Sequence, residues 1–305
     1  MQIMRQIKHF RTLLFFLVAL LFTGGMVILV TLSLQSNQTD QKNDPSVAAT
    51  IFPIYDIAKN VAGDTIKVTL ILPPGSDAHS FEPSPSLLKE LSSAKVVYAI
   101  GYQIDNWSTI LAEDVGAEIF TLDDGIELRA AVDQEEDGPI DPHYWLTVKN
   151  AKVIAFNIAS DLIARFPEHT DAITTNTVAY IAKLDTLETE TKNILKDIPN
   201  KNIVTFHDAW YYFANEYGLT VAGTFEPTAG REPTPQYLAA LVSKIQEANV
   251  KTLYYEPQMS ISGFQTFAND YDVELKILDD IGGVAPYDSY INLIKTNVST
   301  LQNNQ

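Results

Sequence analysis

The 305-residue chain contains no cysteine. That excludes disulfides, thiolate metal ligands, a cysteine nucleophile and a lipid carried on a cysteine sulfur. Histidine is scarce, with five in all, so a transition-metal site would have to combine those few imidazoles with carboxylates. Basic residues are also few: 21 Lys and Arg stand against 38 Asp and Glu, for a formal net charge of −17. Arg5, Lys8 and Arg11 are the only charged residues among the first 35, so the rest of the chain carries −20. A body of that charge is not a partner for nucleic acid or an anionic membrane surface. Neither a G-x-x-x-x-G-K-[ST] loop nor an H-E-x-x-H pair occurs, which removes P-loop ATPases and zincin proteases. With 46% hydrophobic and 19% charged residues the composition is globular. The length accommodates two lobes of about 100–150 residues each.

What is present starts with a basic flank followed by 23 uncharged, mostly apolar residues, 12–34. A signal-peptide core runs about 7–15 residues and a membrane span about 20. No small-x-small cleavage site precedes Gln35, so residues 1–35 favour an uncleaved N-terminal membrane anchor over a cleaved signal peptide. Both readings keep the basic flank inside and export the body, an extracytoplasmic location. Residues 36–45 (SNQTDQKNDP) are polar and aperiodic, a linker.

From residue 46 apolar β-rich runs alternate with helical patterns. Strands are expected at 46–52, 66–72, 95–100 and 118–122, with helices at 54–61, 85–93 and 106–115. Residues 123–142, rich in acid, Gly and Pro, read as an exposed loop. Helices at 149–165 and 169–198 then follow each other with no strand between. The second carries Ile173, Val178, Ile181, Leu184, Leu187, Ile194 and Leu195 at helical spacing. At close to 30 residues it is too long for an ordinary crossover, and its mid-chain position suits a spine between two lobes. Alternation resumes with strands at 202–206, 220–225, 251–256 and 274–278, and helices at 209–217, 235–249, 263–270 and 287–301. The fold expected is α/β: two lobes, each a four-stranded parallel sheet flanked by helices, joined by one long rigid helix. The boundaries are 46–166 for the N-terminal lobe, 167–199 for the linking helix and 200–305 for the C-terminal lobe.

Of the five histidines, His9 lies on the basic flank and His169 in a helix–helix turn, and both read as surface residues. His79, in LPPGSDAHSFEPSP, follows the strand at 66–72, and His207, in IVTFHDAWYYFANEYGL, follows that at 202–206. His143, in IDPHYWLTVKNA, ends the acidic loop. Ligand groups in open parallel sheets converge just beyond the carboxyl ends of strands. His79 and His207 satisfy that from opposite halves, and His143 is on a loop able to reach the same crevice. Asp77 and Asp141 precede two of these histidines in the same Asp-x-His pattern. After the last strand comes Asp279, with Asp280 beside it as a rival. Three imidazoles and one carboxylate suit tetrahedral zinc. Each histidine alone could equally serve as a helix cap or a loop hydrogen-bond partner.

The segments PGSDAHSFEPSP, DPHYWLTVKNA, FHDAWYYFANEYGL, EPTP and LDDIGG, in that order, resemble the zinc/manganese solute-binding proteins of ABC importers over residues 46–303. The resemblance maps His79, His143 and His207 onto that family's metal-binding histidines and Asp279 onto its carboxylate. It implies an extracytoplasmic, monomeric, non-enzymatic subunit that captures Zn2+, or alternatively Mn2+, and delivers it to a membrane permease. Manganese members often carry Glu at the third position, so His207 favours zinc. Departures are Ala78 for a usual Pro, Thr147-Val148 for a usual Asp-Pro, and an acidic loop without histidine. Ligation by neutral imidazoles implies that affinity falls as pH drops through roughly 6.5. A zinc hydrolase and a surface adhesion protein of the same fold are the alternatives. The hydrolase would require an open metal position and a general base; Asp279 fills the fourth position, and Glu82, near His79 but followed by Pro83, has no other support as a base.

Overall fold

The computed structural model describes residues 45–131, 138–226 and 233–304. The expected anchor and nearly all of the linker, residues 1–44, lie outside the described residues, as do residues 132–137 of the acidic loop. Residues 45–305 form one compact unit.

Its first half lays down β1 (Ser46–Ala49), α1 (Phe52–Ala62), β2 (Lys67–Leu70), α2 (Pro85–Leu91), β3 (Val96–Ala99), α3 (Trp107–Val115) and β4 (Glu118–Thr121). All pairings are parallel, in the order β2-β1-β3-β4. After α4 (Val148–Arg165) and α5 (Thr170–Lys196) the second half repeats the plan. It consists of β5 (Asn202–Thr205), α6 (Tyr211–Tyr217), β6 (Thr220–Thr224), α7 (Pro235–Glu247), β7 (Thr252–Tyr255), α8 (Ser262–Asp270), β8 (Glu274–Ile277) and α9 (Tyr290–Asn303). Its sheet is again parallel, β6-β5-β7-β8. In each sheet the chain switches direction of winding between the two central strands, and that point is where open α/β sheets collect ligands.

Local chemistry accounts for the element ends. Pro85 and Pro235 open α2 and α7, where the missing N–H costs nothing. The Thr147, Thr234 and Ser289 side chains accept from the N–H groups of Asn150, Tyr237 and Asn292, capping α4, α7 and α9. The central strands β1 and β3 are buried along their whole length, as strands covered on both faces must be.

The 27-residue α5 is about 40 Å long. Its buried stripe is Ile173, Thr177, Tyr180, Leu184, Leu187, Thr191 and Leu195, spaced by threes and fours. Val178, expected on the apolar face, is instead 66% exposed. The stripe is finished by Thr177 and Thr191, whose burial hydropathy alone does not suggest. Through this stripe α5 packs on α1 and α4 from the first half and on α9 from the second. One continuous core runs through residues of both halves, from Val47 to Leu301. A second cluster under β5 and β7 serves only the second half. The flanks of the acidic loop also depart from the exposed reading. Ala130 bridges Ile140, and Asp141 is buried.

Candidate metal centre

The strand ends deliver the side chains. His79 sits on the loop leaving β2, His207 two residues beyond β5, and His143 just before the short turn Tyr144–Leu146 that leads into α4. The His79, His143 and His207 rings lie 5.6, 5.9 and 5.3 Å apart between centroids. One ring nitrogen from each falls within 4.8 Å of the other two. Zinc bonded at about 2.0–2.1 Å brings tetrahedral nitrogens to about 3.4 Å of each other. Closing the three rings on an ion therefore takes movements of about 1 Å. His169 is in a short turn, Pro167–His169, and has no part in the cluster.

Both Asp-x-His pairs form the same turn. Asp77 Oδ1 accepts from the His79 N–H and Asp141 Oδ1 from the His143 N–H, each at 3.0 Å. In the second pair the carboxylate also reaches the ring, with His143 Nδ1 at 2.9 Å from Asp141 Oδ1. Arg129 holds the other oxygen at 3.0 Å. Burial opposes ionisation of Asp141, but the contacts from His143 and Arg129 outweigh it and hold the carboxyl below its usual range. In the first pair the second oxygen accepts from the Ser80 hydroxyl at 2.6 Å. The Trp107 indole steadies this loop by donating to the Ala78 carbonyl.

His143 and His207 are buried and His79 is exposed. The Nε2 atoms of His143 and His207 have no hydrogen-bond partner among the described residues. Two buried ring nitrogens left without a partner are costly unless a bound group takes them. His79 keeps solvent contact, yet desolvation by the surrounding loops and then the His143 and His207 rings hold it well below the usual imidazole range. His207 behaves oppositely. Burial disfavours its charged form, but Glu256, 3.2 Å from Nδ1, prevails with help from Asp280 and Asp208 and lifts it to about 10.

The two rival aspartates have different jobs. Asp279 Oδ1 accepts from Gln258 Nε2 at 2.7 Å, Gly282 N–H at 2.9 Å and Ile281 N–H at 3.1 Å, organising the LDDIGG turn. Asn297 brackets its backbone at both the N–H and the carbonyl. Asp280 is the one whose charge couples to His207 and His143. Burial pushes its carboxyl up to about 7, with Glu256 and Asp279 adding to the rise and His207 opposing it. Asp280 and His79 line one narrow cavity of about 10 Å³, together with Gln258 and Met259, room for a single water-sized occupant. A wider cleft of about 480 Å³, lined by Arg129, Lys149 and Tyr211 among others, contains none of the three histidines.

The sequence pattern runs the strand through 251–256 and so passes over Glu256. The strand ends at Tyr255, so Glu256 is the first residue past its carboxyl end. The strand-end rule that selected His207 would have selected it too.

Comparison with known proteins places the chain in a family. Residues 47–304 match the family described as zinc-uptake complex component A periplasmic. The metal ABC transporter substrate-binding lipoprotein SsaB of Streptococcus sanguinis is 31% identical, covering 90% of this chain and 95% of the relative. The manganese ABC transporter substrate-binding lipoprotein scaA of Streptococcus gordonii is 32% identical, covering 94% of this chain and 96% of the relative. A zinc-bound deletion mutant of ZnuA superposes with a TM-score of 0.77 at 26% identity, covering 85% of this chain and 97% of that one. The family match and these relatives show that the chain belongs to the zinc-uptake complex component A periplasmic family: metal-binding subunits of ABC importers, acting outside the cytoplasm and not enzymes.

Proposed function

We propose that this chain captures a divalent cation, zinc in preference to manganese, through Nε2 of His143 and His207, one ring nitrogen of His79 and a carboxylate of Asp280, and delivers it to a membrane permease. The observation that carries this reading is the convergence of three imidazole nitrogens within 4.8 Å, two of them buried without any other partner. Nitrogen-rich donor sets favour zinc, whereas manganese favours oxygen donors. Asp279, the carboxylate the family resemblance selected, is the weaker candidate because three hydrogen-bond donors already share its Oδ1.

We assign residues 46–166 and 200–305 to two lobes and 167–199 to the helix between them. The continuous core beneath α5 supports release by small loop and ring displacements over a wide hinge swing. The curated relatives named above are lipoproteins, while this chain has no cysteine to carry a lipid. Tethering therefore falls to the apolar segment 12–34, and the chain is read as a monomer.

Metal analysis followed by calorimetric titration of the full-length chain with zinc and with manganese tests the reading. Zinc should bind more tightly, and His79→Ala, His143→Ala or His207→Ala should each weaken it by orders of magnitude. Any variant that keeps wild-type affinity removes its residue from the site.

A further inference from the structure

Glu256 and His207 are both completely buried. His207 Nδ1 and Glu256 Oε2 lie 3.2 Å apart as an ion pair, and neither atom makes a hydrogen bond to any described group. Among the described residues, the ion pair is thus the contact that engages these two atoms. The second carboxylate oxygen, Oε1, accepts from Trp210 Nε1 at 2.8 Å. Trp210 is itself fully buried and edge-on to Phe213, so the direction of that donor is set by packing. Resting on the metal-site reading above, we propose that Glu256 is a positioning residue, holding the His207 proton on Nδ1 so that the Nε2 lone pair is kept for the metal.

The chemistry is that of donors and acceptors. An ionised carboxylate only accepts, and a neutral imidazole carries one N–H. Once the ring is neutral, as a metal ligand must be, that N–H is held at Nδ1 against Glu256 and Nε2 is left with the lone pair. A carboxylate behind a ligating imidazole fixes its tautomer and raises its basicity. Asp141 stands in the same relation to His143 at 2.9 Å. Glu256 differs in that it arrives from another strand and has no other contact with its histidine.

Glu256→Gln discriminates the idea from simple packing. Trp210 can only donate, so the amide oxygen must stay against it and the NH2 must turn to His207. There it is satisfied only by a bare Nδ1, which moves the ring proton to Nε2, the atom the metal needs. Glu256→Ala removes the carboxylate and leaves both tautomers open. With the full-length chain and zinc as probe, Glu256→Gln should weaken affinity by about 10–100-fold. It should also bind less tightly than Glu256→Ala. Zinc-loaded wild type should show an exchange-protected His207 Nδ1 proton by NMR that Glu256→Gln lacks. The reverse order, with Glu256→Ala the worse and Glu256→Gln near wild type, marks a purely structural residue and overturns the proposal. If wild type binds neither zinc nor manganese, the metal-site reading itself fails; if wild type binds and Glu256→Gln binds equally well, only the role of Glu256 fails.

Discussion

The indole nitrogen of Trp145 donates to the main-chain carbonyl of Asp280 at 2.8 Å, across 135 residues of sequence. The same indole packs 5.2 Å from the His143 ring. One fully buried side chain thus touches an imidazole from the first half and pins the backbone of the carboxylate from the second. The Tyr290 hydroxyl reinforces the junction, donating toward the carbonyls of Trp145 and Thr147.

Trp145→Phe keeps most of the ring bulk but leaves the Asp280 carbonyl without its buried donor. The unfolding free energy should fall by about 1–3 kcal/mol, the cost of an unsatisfied buried polar group. Zinc affinity should fall with it, because the Asp280 backbone loses its anchor. Chemical denaturation with parallel calorimetry reads both, and an unchanged midpoint would show that the bond contributes nothing.

Asp280→Asn and Asp279→Asn should separate ligation from scaffolding. Asp280→Asn should reduce zinc affinity by more than about 100-fold, beyond the effect typical of residues that only support a ligand. Its metal-free stability should hold or rise, since burial already disfavours the charge. Asp279→Asn should lose about 1–3 kcal/mol of stability through the weakened LDDIGG turn, with the smaller loss of affinity. The opposite assignment of effects would restore Asp279 as the ligand.

The pH profile should extend above the ordinary imidazole range. His207 is raised in the folded protein, so its contribution to metal-free stability is fully present below about 6.5 and is lost as pH rises toward the folded value. Metal binding expels the same proton, so zinc affinity should climb with pH beyond 6.5, by up to about tenfold per unit. His79, held low, is already neutral there and adds nothing to the slope. Thermal shifts with and without zinc at pH 6, 7 and 8 should show a zinc-dependent gain that widens with pH. A profile flat above 6.5 is what three ordinary imidazoles would give.

Gly282→Ala should damage the site through the backbone. Gly282 has φ +74°, and a Cβ there would stand 2.8 Å from the Tyr287 carbonyl oxygen, which is main chain and cannot turn aside. Its N–H also donates to Asp279 Oδ1. The left-handed conformation alone costs a non-glycine residue about 1–2 kcal/mol. A loss of at least that size, together with weaker zinc binding, should appear in denaturation and titration. Wild-type behaviour would show that the turn can relax.

The repeated strand–helix order, the two four-stranded parallel sheets and the long intervening helix were legible in the amino-acid sequence. Burial on both faces writes continuous apolar strands, and amphipathic helices write a period of three to four, so local pattern and fold agree. The candidate histidines were legible for a different reason: with five in the chain and three at strand or loop ends, few alternatives exist. Val178 shows the limit of such reading, since a valine at helical spacing went to solvent while Thr177 and Thr191 were buried.

Which carboxylate's charge couples to the imidazoles follows from tertiary structure alone. Asp279 and Asp280 are chemically identical neighbours, and only the donors from Gln258, Ile281 and Gly282 distinguish their tasks. The partners behind the rings were equally out of reach, because Glu256 meets His207 from 49 residues away across adjacent strands. Residue type and local spacing record which atoms can bind a cation. Which of those atoms point inward, and with which proton attached, depends on contacts between segments far apart in the chain.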